Sequence, residues 1–434
     1  MNYPQTLDYL YNKLPMFSRM GSAAYKKDLT NIQLLCEALG NPHEKFKSIH
    51  VAGTNGKGSV SHMLAAIFQT AGYKTGLYTS PHLYDFRERI RIGGAMISED
   101  FVVDFVERIK PLIEKIEPSF FEITVAMAFE AFAAQEVDVA IIEVGLGGRL
   151  DSTNIITPEL SIITNIGWDH MNMLGNSLEE IAGEKAGIIK EAVPVVVGET
   201  VPETKPVFEK KAKVQNAPLV FAEENFQLND YRLHDDHLEI TYKRGQNEFV
   251  QIQTDLPGIY QIENVRTVLA AVEILKKTWA LSQTVVNKAL QNVKSITGLM
   301  GRWDVLHSSP TIVLEVAHNK NGVEKMLSHL KQVAFNRLHI VIGLVKDKEV
   351  DDVLALLPQN ASYYFTQAQI PRAMKGKLLQ EKAIKYQLSG DVFNDVNQAL
   401  QSAIQQSAKN DLIIVCGSIF LVAEVDKKGL PAKN

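Results

Sequence analysis

The run Gly53-Thr54-Asn55-Gly56-Lys57-Gly58-Ser59 has the residue types of a phosphate cradle. Glycines let backbone N–H groups turn inward around phosphate oxygens. A helix start adds partial positive charge, and Lys57 adds a full one. The apolar run Ile49–Ala52 precedes the loop. A helical pattern, Ser59–Thr70 with Val60, Met63, Leu64 and Ile67 on one face, follows it. The spacing is not the usual G-x-x-x-x-G-K-[ST]: Val51 stands six residues before Lys57, and Gly58 separates the lysine from Ser59. The bland alternative is a glycine-rich strand-to-helix turn with a surface lysine. The flanking elements favour a nucleotide phosphate.

Three polar residues fall at the ends of apolar runs. Ser80 follows Thr75–Thr79, Glu143 closes Asp138–Ile142, and His170 lies in Gly167-Trp168-Asp169-His170 after Leu160–Ile166. In an open parallel sheet, ligands bind beyond the carboxyl ends of strands. A hydroxyl, a carboxylate and an imidazole can hold Mg²⁺, although imidazole is the less common ligand. A lone serine or histidine in a loop is more often simply solvated. Glu143 is different, because an unpaired carboxylate in an apolar strand is costly. Lys185 reads as a lysine on a solvated helix face, and chemistry alone offers nothing more. Glu122 at the start of an apolar helix reads as a capping carboxylate before it reads as a substrate contact. Tyr84, Trp168, Phe120 and Phe121 could stack on an aromatic ligand, but such residues are more often core.

Alternating elements must position these groups. Phe101–Ile116 and Phe121–Ala134 read as helices, while Val137–Val144 and Val193–Val197 join the strands already named. Leu219–Thr254 alternates around a turn at Lys243-Arg244-Gly245-Gln246, which predicts an antiparallel excursion. Helical periodicity returns at Ile262–Leu275 and Val285–Val293, and Ser295–Gly301 marks a boundary. Strand runs Thr311–Val316, Leu338–Leu344, Ser362–Phe365 and Asp411–Cys416 follow, with helices intervening. The expected fold class is α/β: a phosphate-loop domain over 1–295 with a parallel sheet and a small antiparallel excursion, then a smaller Rossmann-like α/β domain over 296–434.

With 434 residues, the chain is long enough for two domains with cores of their own. Two cysteines exclude a disulfide scaffold and a four-cysteine zinc site. A formal charge of −5 without a basic run argues against nucleic acid as the main partner. The start carries no continuous apolar core. The most apolar stretch, Leu412–Val425, is interrupted by Gly417 and Ser418 and falls short of the ~20 residues of a membrane span. The expectation is a cytoplasmic protein without a membrane partner.

Together the motifs resemble the folylpolyglutamate synthase and bifunctional dihydrofolate synthase family of the Mur ligase superfamily. The matching stretches are His50–Ser59, Thr79–Leu83, Phe86–Ile90, Glu143–Asp151, Asn165–His170 and Glu184–Ile188, then Gly301-Arg302, Ala317-His318-Asn319 and Gly417-Ser418. They span nearly the whole chain, and the extra Gly58 is the family's form. The resemblance implies ATP at Thr54, Asn55, Gly56, Lys57, Gly58 and Ser59, with Asn264, Arg302 and Glu315 as further nucleotide positions. It implies one or two Mg²⁺ ions at Ser80, Glu143 and His170, and a carbamylated Lys185 near them. Phe121, Glu122 and the turn Leu150-Asp151-Ser152 would face a pterin. The substrates would be dihydropteroate or a reduced folate and L-glutamate, the protein a monomer, and the nucleotide site shared by two domains that close on it.

Three stretches depart from the family pattern. Glu315-Val316-Ala317-His318-Asn319 stands where Asp-Gly-Ala-His-Asn is usual. Pro257-Gly258-Ile259-Tyr260-Gln261 has tyrosine in place of histidine, and Phe17–Gly21 lacks the usual glycines. The implied chemistry is amide formation through an acyl phosphate. The attacking carboxylate needs no base, whereas the glutamate amine, with a pKa near ~8, must lose a proton. His318 is a candidate for that proton or for orienting phosphate; its alternative is a structural loop histidine. Other readings are another Mur-type amino-acid ligase, a kinase, or a nucleotide switch. No acceptor-hydroxyl base motif stands out, and Asn287-Lys288 and Asn319-Lys320 lack the aspartate of a guanine-reading motif.

Overall fold

Apolar runs of four to six residues form the centre of the first sheet. It comprises β1 (Lys47–Ala52), β2 (Thr75–Tyr78), β3 (Ile90–Ile92), β4 (Ala95–Met96), β5 (Val139–Glu143), β6 (Leu160–Ile163), β7 (Val195–Val197) and β8 (Leu219–Phe221). In this computed structural model, which describes residues 1–16, 21, 28–346 and 350–429, the strand order is β4-β3-β2-β5-β1-β6-β7-β8. Every pairing from β2 to β8 is parallel, and β3 and β4 return antiparallel at one edge. Residues 17–20, where a glycine-poor departure was noted, lie outside the described residues.

Both faces of this sheet are covered, which is why its central strands are buried along almost their whole length, the polar Ser48, His50 and Ser161 included. On one face, helices Tyr3–Lys13, Thr30–Ala38, Glu99–Ile116 and Phe120–Ala134 pack into one core that includes Phe105, Ile109, Phe129 and Phe132. Helix Phe120–Ala134 is apolar on all sides because it lies inside this layer. The helix after the glycine loop runs Lys57–Thr70, two residues earlier than its periodicity predicted. Gly58 to Phe68 are all buried, not one face alone. Helices Gln261–Leu275, Gln283–Leu290 and Val293–Thr297 cover its remaining sides, and His62 is satisfied there by Thr297 Oγ1 at 2.8 Å.

The antiparallel excursion is shorter than its sequence pattern. Leu219–Phe221 is β8 of the main sheet, its three apolar residues paired in parallel with β7. Only β9 (Gln227–Leu233), β10 (Leu238–Arg244) and β11 (Glu248–Thr254) form the separate three-stranded sheet.

A third sheet comprises β12 (Asp304–Ser308), β13 (Thr311–Leu314), β14 (Leu338–Ile342), β15 (Ser362–Phe365), β16 (Gly390–Val392) and β17 (Leu412–Cys416), ordered β12-β13-β17-β14-β15-β16. All its pairings are parallel except β12 with β13. Ile340, Ile342, Phe365 and Ile414 centre its core. The chain divides into two compact units. One holds Met1–Arg232, Glu239–Asp255 and Gln261–Leu299; the other holds Leu233–Leu238, Leu256–Tyr260 and Met300–Asn434. No described helix is long and apolar enough to cross a membrane.

Candidate active site

Strand register brings the first group of residues to one edge. Tyr78 pairs with Ile142, Glu143 with Val51, and Ala52 with Ile163. Ser80, Glu143, the glycine loop after Ala52 and the segment after Ile163 therefore leave the sheet at its carboxyl edge. The chain crosses from one side of β1 to the other there, which is where α/β sheets bind ligands.

The segment after β6 holds the loop from beneath. The Thr54 N–H donates to Asn165 O at 3.0 Å, and the Asn55 N–H to Asn165 Oδ1 at 2.9 Å. Thr164 Oγ1 donates to Asn55 O at 2.6 Å, and the Gly167 N–H to Thr54 Oγ1 at 2.9 Å. Two glycines permit this fit. Gly53 has φ +148°, and a Cβ there would lie 1.8 Å from Thr164 Oγ1. Gly56 has φ +83°, and a Cβ there would lie 2.2 Å from Asn264 Oδ1. No side chain caps the helix that starts at Lys57, so its first turn presents backbone N–H groups as an anion site does.

Helix Gln261–Leu275 meets this loop from the other side. Gln261 Nε2 donates to Ser59 Oγ at 3.3 Å, and Asn264 Nδ2 donates to Gln261 Oε1 at 2.8 Å. Asn264 therefore stands against the loop, whereas Gln261 escaped the sequence reading. Gly56→Ala is expected to combine a left-handed alanine, costing ~1–2 kcal/mol, with displacement of Asn264. A thermal melt lowered by several degrees is the expected result; an unchanged melt would contradict the close approach of Asn264 to Gly56.

Two lysines converge on one carbonyl. Lys57 Nζ donates to Gly53 O and Thr54 O, both at 3.1 Å, and Lys185 Nζ donates to Gly53 O at 2.9 Å. Lys185 ends helix Leu178–Lys185 and is buried, so it is not the solvated lysine that chemistry alone suggested. Burial, then the neighbouring Lys57 charge, lowers its pKa to about 7, against the pull of Asp169 and Asp151. Burial thus favours the neutral, nucleophilic amine at Lys185 over the charged form.

The candidate metal ligands leave the same carboxyl edge of the sheet. Glu143 is buried, and its Oε2 accepts the Ser80 N–H at 3.0 Å. The Ser80 loop is itself tied down: Glu88 accepts the N–H groups of Leu83, Tyr84 and Asp85, and Arg89 Nε donates to His82 Nδ1 at 2.8 Å. His170 takes a left-handed conformation at φ +52°, its Nε2 3.7 Å from Asp169 Oδ1. A carboxylate, a hydroxyl and an imidazole are donor types that a divalent cation can take, the imidazole less commonly for Mg²⁺.

The candidate pterin residues divide. The Glu122 carboxylate closes a capping box: Oε2 accepts the Ser119 N–H at 2.6 Å and Oγ–H at 2.8 Å. Capping, the bland alternative, is therefore its role in the fold. Asp151 is buried and accepts from Leu146 N–H and from Thr153, capping the short helix Ser152–Ile155; burial raises its pKa. Phe121 packs over Gly145, where a Cβ would lie 2.4 Å from the ring, and Leu150 and Ser152 flank Asp151 in the same turn. Phe120 is core, but Tyr84 and Trp168 are exposed, contrary to the core expectation.

In the second unit, Arg302 follows Gly301 in the loop before β12. Glu315 follows β13 and is buried, with burial raising its pKa. Its Oε2 accepts the Tyr260 hydroxyl at 2.6 Å and the Trp303 N–H at 3.0 Å. His318 Nδ1 lies 2.9 Å from Val316 O, and Asn319 caps helix Lys320–Leu330.

A glycine-rich loop on a parallel sheet, followed by a separate α/β unit, matches the fold of a Mur-type ligase. The Mur ligase middle-domain model matches residues 51–272, and the Mur ligase glutamate-ligase-domain model matches 301–419. The dihydrofolate synthase/folylpolyglutamate synthase of Bacillus subtilis is 34% identical over 426 residues, covering 93% of this chain and 95% of the relative. Two solved structures are similar. Escherichia coli FolC in complex with DHPP and ADP has a TM-score of 0.83 and 30% identity over 98% of this chain and 96% of that one. The bifunctional enzyme of Yersinia pestis with AMPPNP and Mn has a TM-score of 0.82 and 30% identity over 98% and 97%. The chain belongs to the dihydrofolate synthase/folylpolyglutamate synthase family of ATP-dependent glutamate ligases.

Proposed function

We propose that this chain joins L-glutamate to dihydropteroate and to reduced folates, using Mg-ATP, as a cytoplasmic monomer whose partners are these small molecules. The observation that carries this reading is the convergence of Lys57 and Lys185 on the Gly53 carbonyl. The names of the relatives, and the ADP, DHPP and Mn-AMPPNP of the similar structures, support ATP, a divalent metal and a pterin acceptor.

Residues Thr54–Ser59 cradle the ATP phosphates with Asn264 against the same loop, and Arg302 is read as a nucleotide-binding residue of the second unit. Ser80, Glu143 and His170 would hold Mg²⁺, which would neutralise phosphate charge when bound. Lys57 stabilises charge on the transferring phosphoryl group. The acceptor carboxylate is already ionised, so positioning it in line with that group is the main demand of the first step. Leu150, Asp151, Ser152 and Phe121 form the pterin side, with Glu122 acting through its cap on helix Phe120–Ala134. The glutamate amine then attacks the acyl carbon and phosphate leaves; His318 takes the amine proton or orients phosphate. Lys185, as the neutral amine its burial favours, would add carbon dioxide at Nζ and release one proton to solvent, giving a carbamate. Its new anionic oxygens would stand beside Lys57.

Phosphate release in Mg-ATP and L-glutamate tests the reading, with dihydropteroate and tetrahydrofolate compared as acceptors. Turnover with both is expected. Turnover with one alone narrows the activity to that acceptor, and turnover with neither removes the folate assignment in favour of another Mur-type amino-acid ligase.

A further inference from the structure

Arg302 stands in a turn of unusual backbone. Gly301 before it has φ +72°, and Trp303 after it has φ +48°, a region that a bulky L-residue enters only when its surroundings force it. The Trp303 ring is buried and meets the His329 ring edge-on with centroids 4.0 Å apart. Its N–H donates to Glu315 Oε2, and the Val316 N–H donates to Gly301 O at 3.2 Å. The first two residues after β13 thus hold the turn on both sides of Arg302.

Glu315 in turn is held by Tyr260. The phenol donates at 2.6 Å to the same Oε2 that receives Trp303, a short bond of the kind a carboxylate makes. Glu315 is 3% exposed, so little of it can meet a ligand directly. An aspartate here would end about 1.5 Å short of that position. The two departures from the family pattern, tyrosine at 260 and glutamate at 315, are therefore partners in one hydrogen bond.

We propose that Tyr260 and Glu315 are a coupled pair of positioning residues: the phenol fixes the carboxylate, the carboxylate fixes the Trp303 N–H, and Arg302 is thereby held in its nucleotide-binding orientation. This rests on the reading of Arg302 as a nucleotide residue and replaces direct contact as the role of Glu315.

Calorimetric titration of ADP with Mg²⁺ into wild type, Arg302→Ala, Tyr260→Phe, Glu315→Asp, Glu315→Gln and the Tyr260→Phe/Glu315→Gln double variant separates the possibilities. Arg302→Ala is expected to weaken ADP by about tenfold or more, the loss of one charge-assisted contact. Tyr260→Phe and Glu315→Asp should each weaken it about five- to tenfold, with the KM for glutamate unchanged. The double variant should bind no worse than Glu315→Gln alone, as coupled residues do. Normal ADP affinity in Tyr260→Phe beside a weakened Arg302→Ala overturns the pairing alone, and so do losses that multiply in the double variant. Normal affinity in Arg302→Ala overturns the reading of Arg302 and the pairing with it. Tyr260→Phe removes a single hydroxyl, so it decides the matter even if the Glu315 variants fail to fold in a thermal melt.

Discussion

Lys57→Ala is expected to lower kcat by roughly 10²–10³-fold while leaving the fold intact, the scale seen when one preorganised charge-stabilising donor is removed. Lys57 is the first residue of its helix, and its Nζ donates to two loop carbonyls, Gly53 O and Thr54 O. Those bonds are each worth about 1 kcal/mol in stability. The structural cost is thus small beside the catalytic one. Arginine is not an adequate substitute, because its planar fork cannot occupy a point-charge position against two converging carbonyls. The check is kcat beside a thermal melt. A kcat within threefold of wild type would remove Lys57 from phosphoryl transfer.

Lys185→Met should separate activity from stability more sharply still. The variant keeps the apolar stem in its buried channel and removes the amine. Activity is expected to fall at least about 100-fold if the carbamate supports the metal and phosphate groups. Stability follows a different rule. The folded pKa is about 7 and the unfolded one about 10.4, so across that window the unfolded chain binds the extra proton. Wild-type stability therefore rises with pH through the window by about 1.4 kcal/mol per pH unit from this group and is flat below pH 7. Lys185→Met lacks the term. The wild-type-minus-variant difference in unfolding free energy, measured in carbon-dioxide-free buffer, should rise with that slope. A difference that is flat from pH 7 to 10 would mean that Lys185 is charged in the native state. Carbon-13 NMR with labelled bicarbonate should then show a carbamate signal in wild type that Lys185→Met lacks.

Residues that carry chemistry in short runs were the legible part of this molecule. The glycine loop, the strand-end Glu143 and the alternation of apolar strands with helices depend on local composition, and the parallel sheets follow from that alternation. Contacts distant in the chain were not legible. Gln261 meets Ser59 across 202 positions, and Tyr260 meets Glu315 across 55; nothing local in either segment announces its partner. Lys185 was misread for a related reason. Its helix has acidic neighbours typical of a solvated surface, whereas Ile181, Ala182 and Lys185 on that helix are buried and Lys185 reaches Gly53 O, 132 positions away. β12 and β16 escaped notice because one is largely polar and antiparallel at an edge, and the other is three mostly exposed residues. β8 was assigned to the wrong sheet because three apolar residues do not reveal which neighbour they pair with.

The central claim is that the acceptor carboxylate is activated as an acyl phosphate before glutamate attacks it. The direct measurement supplies dihydropteroate labelled with oxygen-18 in its carboxylate, together with Mg-ATP and L-glutamate, and analyses the released inorganic phosphate by mass spectrometry. The account predicts one labelled oxygen in phosphate for each amide formed, because the carboxylate oxygen that attacks ATP departs with the phosphoryl group. Amide product accompanied by unlabelled phosphate would contradict it.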